Sequence, residues 1–256
     1  METTIDALLN RRVQVEQPKK GFRIAIDTIL LAAAVKARVG ERVLDLGCGV
    51  GGAMLALAAR VHKLAIDGLE IQPELVELCQ KNIQRNNLTE TLQVIKGDVI
   101  HLPGEVLFLY DHVMINPPYH EADKHDASPD ASKSIANTEA PAKSGHMSPL
   151  EMWVISAARC LKQSGIMVMI HRADRLDEIL GYMKPMFGDV EILPLLPKVG
   201  EEAKRVVIRA RKGEGATPIP CRPLALHRPS EGYTDETDAI LKHAKPLEFV
   251  PEEVEE

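Results

Sequence analysis

A short apolar run, Arg42-Val43-Leu44-Asp45-Leu46, passes directly into Gly47-Cys48-Gly49-Val50-Gly51-Gly52 and then into a small-residue stretch from Ala53 to Val61. The run reads as a fully buried strand, and the stretch as a helix able to lie close to a sheet. The glycines between them let the backbone turn tightly and approach a ligand at the positive end of the helix. The same rhythm then repeats. Lys63 to Leu69 predicts a second strand ending at Glu70, and Pro73 opens a helix running to about Asn86. Leu92-Gln93-Val94-Ile95 predicts a third strand, followed by Gly97-Asp98, and Tyr110 to Ile115 a fourth. Strand–helix alternation with short loops specifies an α/β fold with a doubly wound, largely parallel sheet.

The flanks are less regular. Residues 1–12 read as a helical start, Val13 to Gln17 as a short strand, and Thr28 to Val35 as a buried helix with Asp27 at its N-cap. Residues 120–147 are rich in Ala, Ser, Asp, Lys and His and have no periodicity, as a functional or disordered loop would. The pattern resumes with a helix over Pro149–Leu161, a strand over Ile166–Ile170 and a helix over Arg175–Met183. Strands follow at Val190–Pro194 and Arg205–Ala210, then a weak strand at Leu224-Ala225-Leu226 and a helix after Thr234. We divide the chain into an N-terminal segment, 1–39, packing over a cofactor and substrate site; a catalytic domain, 40–212; and a C-terminal extension, 213–256.

The 256 residues suffice for a full core, and no apolar run reaches membrane-spanning length. Cys48, Cys79, Cys160 and Cys221 form no paired spacing, so neither a zinc site nor a disulfide framework is expected, and a cytoplasmic setting fits. A net charge of −6 argues against nucleic-acid binding by the whole surface, but leaves room for a local basic patch. Lys19, Lys20 and Arg23, with Lys124, Lys133 and Lys143, are either such a phosphate-tracking rim or scattered surface charge. His120, His125 and His146 lack metal-ligand spacing, and no metal is expected.

Asn116-Pro117-Pro118-Tyr119 closes the fourth strand. Two prolines stop a strand and stiffen it, and the residue before a proline is held extended. The Asn116 amide, the Pro117 carbonyl and the Tyr119 ring would then stand outside the carboxyl edge of the sheet, suited to gripping a planar amine. A plain strand-ending turn is the alternative. Gly47, Gly49 and Gly52 with Glu70 equally fit a nicotinamide dinucleotide, the acid reaching a ribose diol. Asp45 tilts the choice. At the mouth of the first strand its charge would repel a pyrophosphate and attract a ligand bearing an ammonium and a sulfonium. Asp98 could accept a hydrogen bond from an adenine amino group, or cap its own turn.

Together, Val43 to Gly51, Glu70, Asp98 and Asn116 to Tyr119 resemble the class I S-adenosylmethionine-dependent methyltransferases of the small-domain type. Gln17-Pro18, Gly21-Phe22-Arg23, Asp27 and Leu30-Leu31-Ala32-Ala33 are similar to the bacterial tRNA (adenine-N6)-methyltransferase group acting on a valine tRNA. The resemblance spans about residues 3–212. It implies a seven-stranded sheet with the last strand antiparallel, S-adenosylmethionine as cofactor and an RNA partner. It also implies roles. Asp45, Gly47, Cys48 and Gly49 would line the methionine end, with Arg23 and Asp27 near it. Glu70 would hold the ribose, Ile71 flank the adenine, and Asp98 bind its amino group. Asn116 and the Pro117 carbonyl would accept from the substrate –NH2 while Tyr119 stacks on the base. Cys48 reads otherwise as a small packing residue. A protein glutamine or a ribosomal RNA guanine are alternative acceptors. A NAD-dependent oxidoreductase and a non-catalytic RNA-binding module are alternatives of another class.

Overall fold

The computed structural model describes residues 1–21, 23–118, 147–213, 215 and 217–252, together with the backbone of 120–121 and 138–139. Tyr119 and most of the 120–147 stretch, with His125, His146, Lys124, Lys133 and Lys143, lie outside the described residues. The chain runs β1 (Thr3–Leu8), β2 (Val13–Pro18), α1 (Ile26–Ala34), β3 (Arg42–Leu46), α2 (Gly52–Arg60), β4 (Ala65–Glu70), α3 (Pro73–Arg85), β5 (Leu92–Lys96) and β6 (Tyr110–Ile115). Short strands β7 (His120–Glu121) and β8 (Thr138–Glu139) pair with each other. Then come α4 (Pro149–Cys160), β9 (Leu161–Arg172), α5 (Leu176–Met183), β10 (Phe187–Lys198) and β11 (Arg205–Lys212). The tail adds β12 (Ile219–Pro220), β13 (Leu224–His227) and α6 (Asp235–His243).

The main sheet has the order β5-β4-β3-β6-β9-β11-β10. The first five are parallel, and β11 runs antiparallel between β9 and β10. That is the expected seven-stranded sheet with its last strand antiparallel. The tail lengthens it, since β12 and β13 both pair in parallel with β10. One face is covered by α1, α2, α3 and α6, the other by α4 and α5. Burial on both faces explains why β3 and β6 read as continuous apolar runs.

The expectation of a helix over residues 1–12 is corrected. Thr3 to Leu8 pairs antiparallel with β2, from Thr3 opposite Pro18 to Leu8 opposite Val13. The β-branched Thr3, Thr4 and Ile5 suit a strand, and the ladder to β2 overrides local helical preference. Leu9, Asn10 and Arg11, all with positive φ, turn the chain between the two strands. The hairpin is stitched to the molecule by Asn82, a wholly buried residue of α3. Its amide oxygen accepts from the Glu16 N–H at 2.7 Å, and its nitrogen donates to Glu16 O at 2.9 Å and Val50 O at 3.0 Å. Asn82→Ala leaves those groups without partners. It is expected to lower the unfolding free energy by about 2–3 kcal/mol, seen as a lower urea midpoint at unchanged slope.

Asp27 is a second correction. The helix starts two residues earlier than expected, Ala25 holds the N-cap position, and Asp27 sits in the first turn. Its carboxylate accepts from Arg205 Nε at 3.1 Å, tying α1 to the start of β11. At the far end of the chain the expected helix after Thr234 is present, and the Thr234 hydroxyl caps it by accepting from the Thr237 N–H.

Candidate active site

The strand order reverses between β3 and β6, where open α/β sheets leave a crevice at the carboxyl ends of their strands. Register fixes what meets there. Leu46 stands opposite Ile115. The next residues, Gly47 and Asn116, therefore leave the sheet side by side. A cavity of about 390 Å³ opens at this point, with Asp45, Gly47, Cys48, Gly49, Glu70, Ile71, Asp98, Asn116 and Pro117 all in its wall. Residues scattered over seventy positions thus line one cavity. A larger cavity of about 510 Å³ lies at the opposite edge of the sheet. Its charged groups are largely spent on one another, through His112–Glu41, Lys162–Asp111, Arg209–Glu191 and Arg211–Asp189.

The glycine loop makes the tight turn that its spacing predicts. Gly47, Gly49 and Gly51 have φ of +77°, +56° and +88°, a region that other residues enter only at a cost. A Cβ on Gly47 would lie 2.4 Å from Trp153 Cη2, and one on Gly52 would lie 2.6 Å from Ile24 Cδ1. Cys48 is buried, and its thiol is pushed up by a hydrogen bond to the Cys79 thiol and by burial. It is a packing group rather than a nucleophile.

Two acids are sunk in this wall. Glu70, 5% exposed, accepts from the Gly49 N–H and the Gln72 N–H, each at 2.9 Å. Burial raises its pKa, opposed by those backbone bonds. Asp45 is 4% exposed. Burial pushes its carboxyl up to about 7; a bond from the Met54 N–H works against this, and the Glu70 charge adds to it. Its Oδ2 has no hydrogen-bond partner among the described residues. An orphaned carboxylate oxygen beside a second buried acid suits a cation, and suits a pyrophosphate badly.

Asp98 lines the cavity and also caps its own turn, accepting from the Ile100 N–H at 2.8 Å, with His101 Nδ1 at 2.8 Å from its other oxygen. Ile71, about half exposed, and Ile100 give the wall an apolar stretch beside it. Arg23 and Asp27 are not brought to the cavity wall. The Arg23 guanidinium is held by the hairpin, on Asp6 Oδ2 and Pro18 O at 2.7 Å each and Thr4 Oγ1 at 3.1 Å. The reason is the hairpin: β1 is a strand paired with β2, so it delivers Asp6 alongside Arg23.

Sequence reasoning missed Trp153, Ile24 and Leu75, which also line the cavity. Trp153 had a signal, being the chain's one tryptophan where aromatics make up 4% of residues. Ile24 and Leu75 had none, because they lie in stretches of ordinary composition. Among the described residues no cluster of His, Cys, Asp and Glu could hold a metal, and no helix is long and apolar enough to cross a membrane.

Residues 22–141 match the family model described as the methyltransferase small domain. The tRNA1(Val) (adenine(37)-N6)-methyltransferase of Porphyromonas gingivalis is 24% identical over 237 residues, covering 87% of this chain and 88% of its own. The protein of the same name in Actinobacillus pleuropneumoniae is 23% identical over 230 residues, covering 89% and 92%. In Yersinia enterocolitica its counterpart is 31% identical over 106 residues, covering 41% and 42%. Among solved structures, a predicted O-methyltransferase from Agrobacterium tumefaciens superposes with a TM-score of 0.67 at 25% identity, covering 84% of this chain and 94% of that one. TYW2 of P. horikoshii, in complex with MeSAdo, shares the fold at a TM-score of 0.56 and 15% identity, covering 82% and 71%.

Proposed function

We propose that this chain, an S-adenosylmethionine-dependent methyltransferase, takes as its acceptor the N6 amino group of an adenine in RNA, a tRNA first of all. The observation that carries the reading is the side-by-side exit of Gly47 and Asn116 at the switch point. It sets the methyl-donor pocket against a proline-stiffened pair of oxygen acceptors. The relatives from Porphyromonas gingivalis and Actinobacillus pleuropneumoniae are named for an adenine N6 of a tRNA and match this chain over most of its length.

The residues present fit the cofactor. Asp45, with its unspent oxygen, would face the cationic end. Gly47 and Gly49 would let the backbone close on it, Glu70 would hold the ribose hydroxyls, and Ile71 and Asp98 would take the adenine. Bound there, S-adenosylmethionine supplies an already activated sulfonium methyl. The protein's task is then geometric. An exocyclic amine is a poor nucleophile because its lone pair is delocalised into the ring. The Asn116 amide oxygen and the Pro117 carbonyl accept its two N–H groups and favour the pyramidal form whose lone pair can attack. They also stabilise the positive charge that develops on nitrogen. Holding donor and acceptor in line supplies much of the remaining acceleration. The target base must leave its stack to enter, which a tRNA loop allows at lower cost than a duplex.

The segment 1–39 contributes Ile24 and Thr28 to the cavity, which supports treating it as a cover over the domain at 40–212. The 213–256 extension adds β12 and β13 beside β10 and packs α6 against α1 on one face of the sheet. The test is incubation with methyl-labelled S-adenosylmethionine and separate pools of tRNA, ribosomal RNA and protein, followed by nucleoside analysis. N6-methyladenosine from the tRNA pool is expected. Label appearing only in protein glutamine, or in a guanine of ribosomal RNA, would sink this reading.

A further inference from the structure

The one tryptophan of the chain sits where the two halves of the site meet. Trp153 is on the second turn of α4, three residues after the wholly buried Leu150 and one before the wholly buried Val154. Those neighbours anchor the helix against the sheet, and Trp153, partly buried, reaches past the sheet edge into the cavity wall. The six-membered edge of its indole lies over Gly47. A Cβ there would stand 2.4 Å from Cη2 and 3.0 Å from Cζ3. Gly47 follows Asp45 by two residues and leaves the sheet beside Asn116. The ring therefore shares a wall with the unspent Asp45 carboxylate and with the acceptor pair.

We propose that Trp153 is a positioning residue for the positively charged end of the cofactor, its π-system attracting the cation that Asp45 attracts by charge. The proposal rests on the methyltransferase reading and deepens it. An indole face draws a cation electrostatically, and more strongly where water is excluded. A full carboxylate can be neutralised by a proton; a ring cannot, so the two attractions complement each other. The ring also discriminates between the two forms of the cofactor. Methyl transfer turns the sulfonium into a neutral thioether, so Trp153 favours the donor over the spent product and eases exchange.

The test compares affinities for S-adenosylmethionine and S-adenosylhomocysteine by calorimetry on the full chain. Trp153→Leu is expected to weaken the sulfonium ligand roughly 3- to 10-fold more than the thioether, and Trp153→Phe to lie in between. Because the chain has a single tryptophan, fluorinated tryptophans incorporate at this site alone and keep its shape. Affinity for the sulfonium form is expected to fall stepwise with fluorination while affinity for the thioether stays level. Equal losses for both ligands would mean that the ring only packs on Gly47, and would overturn the proposal. So would unchanged ratios with a raised KM for RNA, which would put the ring on the acceptor side. A wild-type protein with no affinity for either ligand would refute the methyltransferase reading itself.

Discussion

Asn116→Ala is expected to lower kcat by roughly a hundred- to a thousandfold, the usual loss when one oxygen partner of the developing charge is removed. Affinity for S-adenosylmethionine should stay within about twofold, since Asp45, Gly49 and Glu70 are untouched and only the acceptor side changes. Asn116→Asp keeps an oxygen acceptor at the same place and should retain more activity than alanine. Single-turnover methylation of tRNA beside calorimetric cofactor binding separates the two effects. An alanine variant that methylates normally would mean the amine is held elsewhere. A variant that loses cofactor and turnover together would move Asn116 to the donor side.

The second large effect concerns Asp45. Its carboxyl has a pKa of about 7 because it is buried with an unspent oxygen beside Glu70. A cationic ligand prefers the ionised form, so affinity should climb as pH rises through about 7 and level off above it. Asp45→Asn should flatten that profile and weaken binding by roughly thirtyfold or more near neutral pH, as removal of one partner from a buried charge pair does. Stability moves the other way. A carboxyl whose pKa is raised on folding contributes stability that is fully present below the ordinary carboxylate range and is lost as pH rises through about 7. Without cofactor, the wild type should therefore weaken over that window, and Asp45→Asn should weaken less. The cofactor-induced rise in Tm should be larger at about pH 8 than at about pH 6. Equal shifts at both would show that Asp45 does not face the cation.

Much of this site could be read along the chain because its parts are local. A strand, a glycine turn and a helix follow one another within twenty residues, so spacing alone predicts Asp45, Gly47 and Gly49 at one strand end. Glu70, Asp98 and Asn116 each close a strand, and in a parallel sheet strand ends share one edge. The misreadings came where a partner lay outside the window. Residues 1–12 became a strand because β2 offered a ladder. Arg23 turned to Asp6 because that strand delivered the acid, and Asp27 was claimed by Arg205, far along the chain.

The alternation of apolar runs with helical segments determined the fold class, and the residue after each run determined what stood at the carboxyl edge. Period and punctuation are properties of neighbouring residues, so one chain suffices to show them. Strand order was another matter. It put β6 beside β3, set Gly47 against Asn116, and brought Trp153 over the glycine loop. It also settled which acid would be stripped of water and left with an unspent oxygen. Those outcomes depend on which distant surfaces exclude solvent from each other, and that is decided only when the layers close.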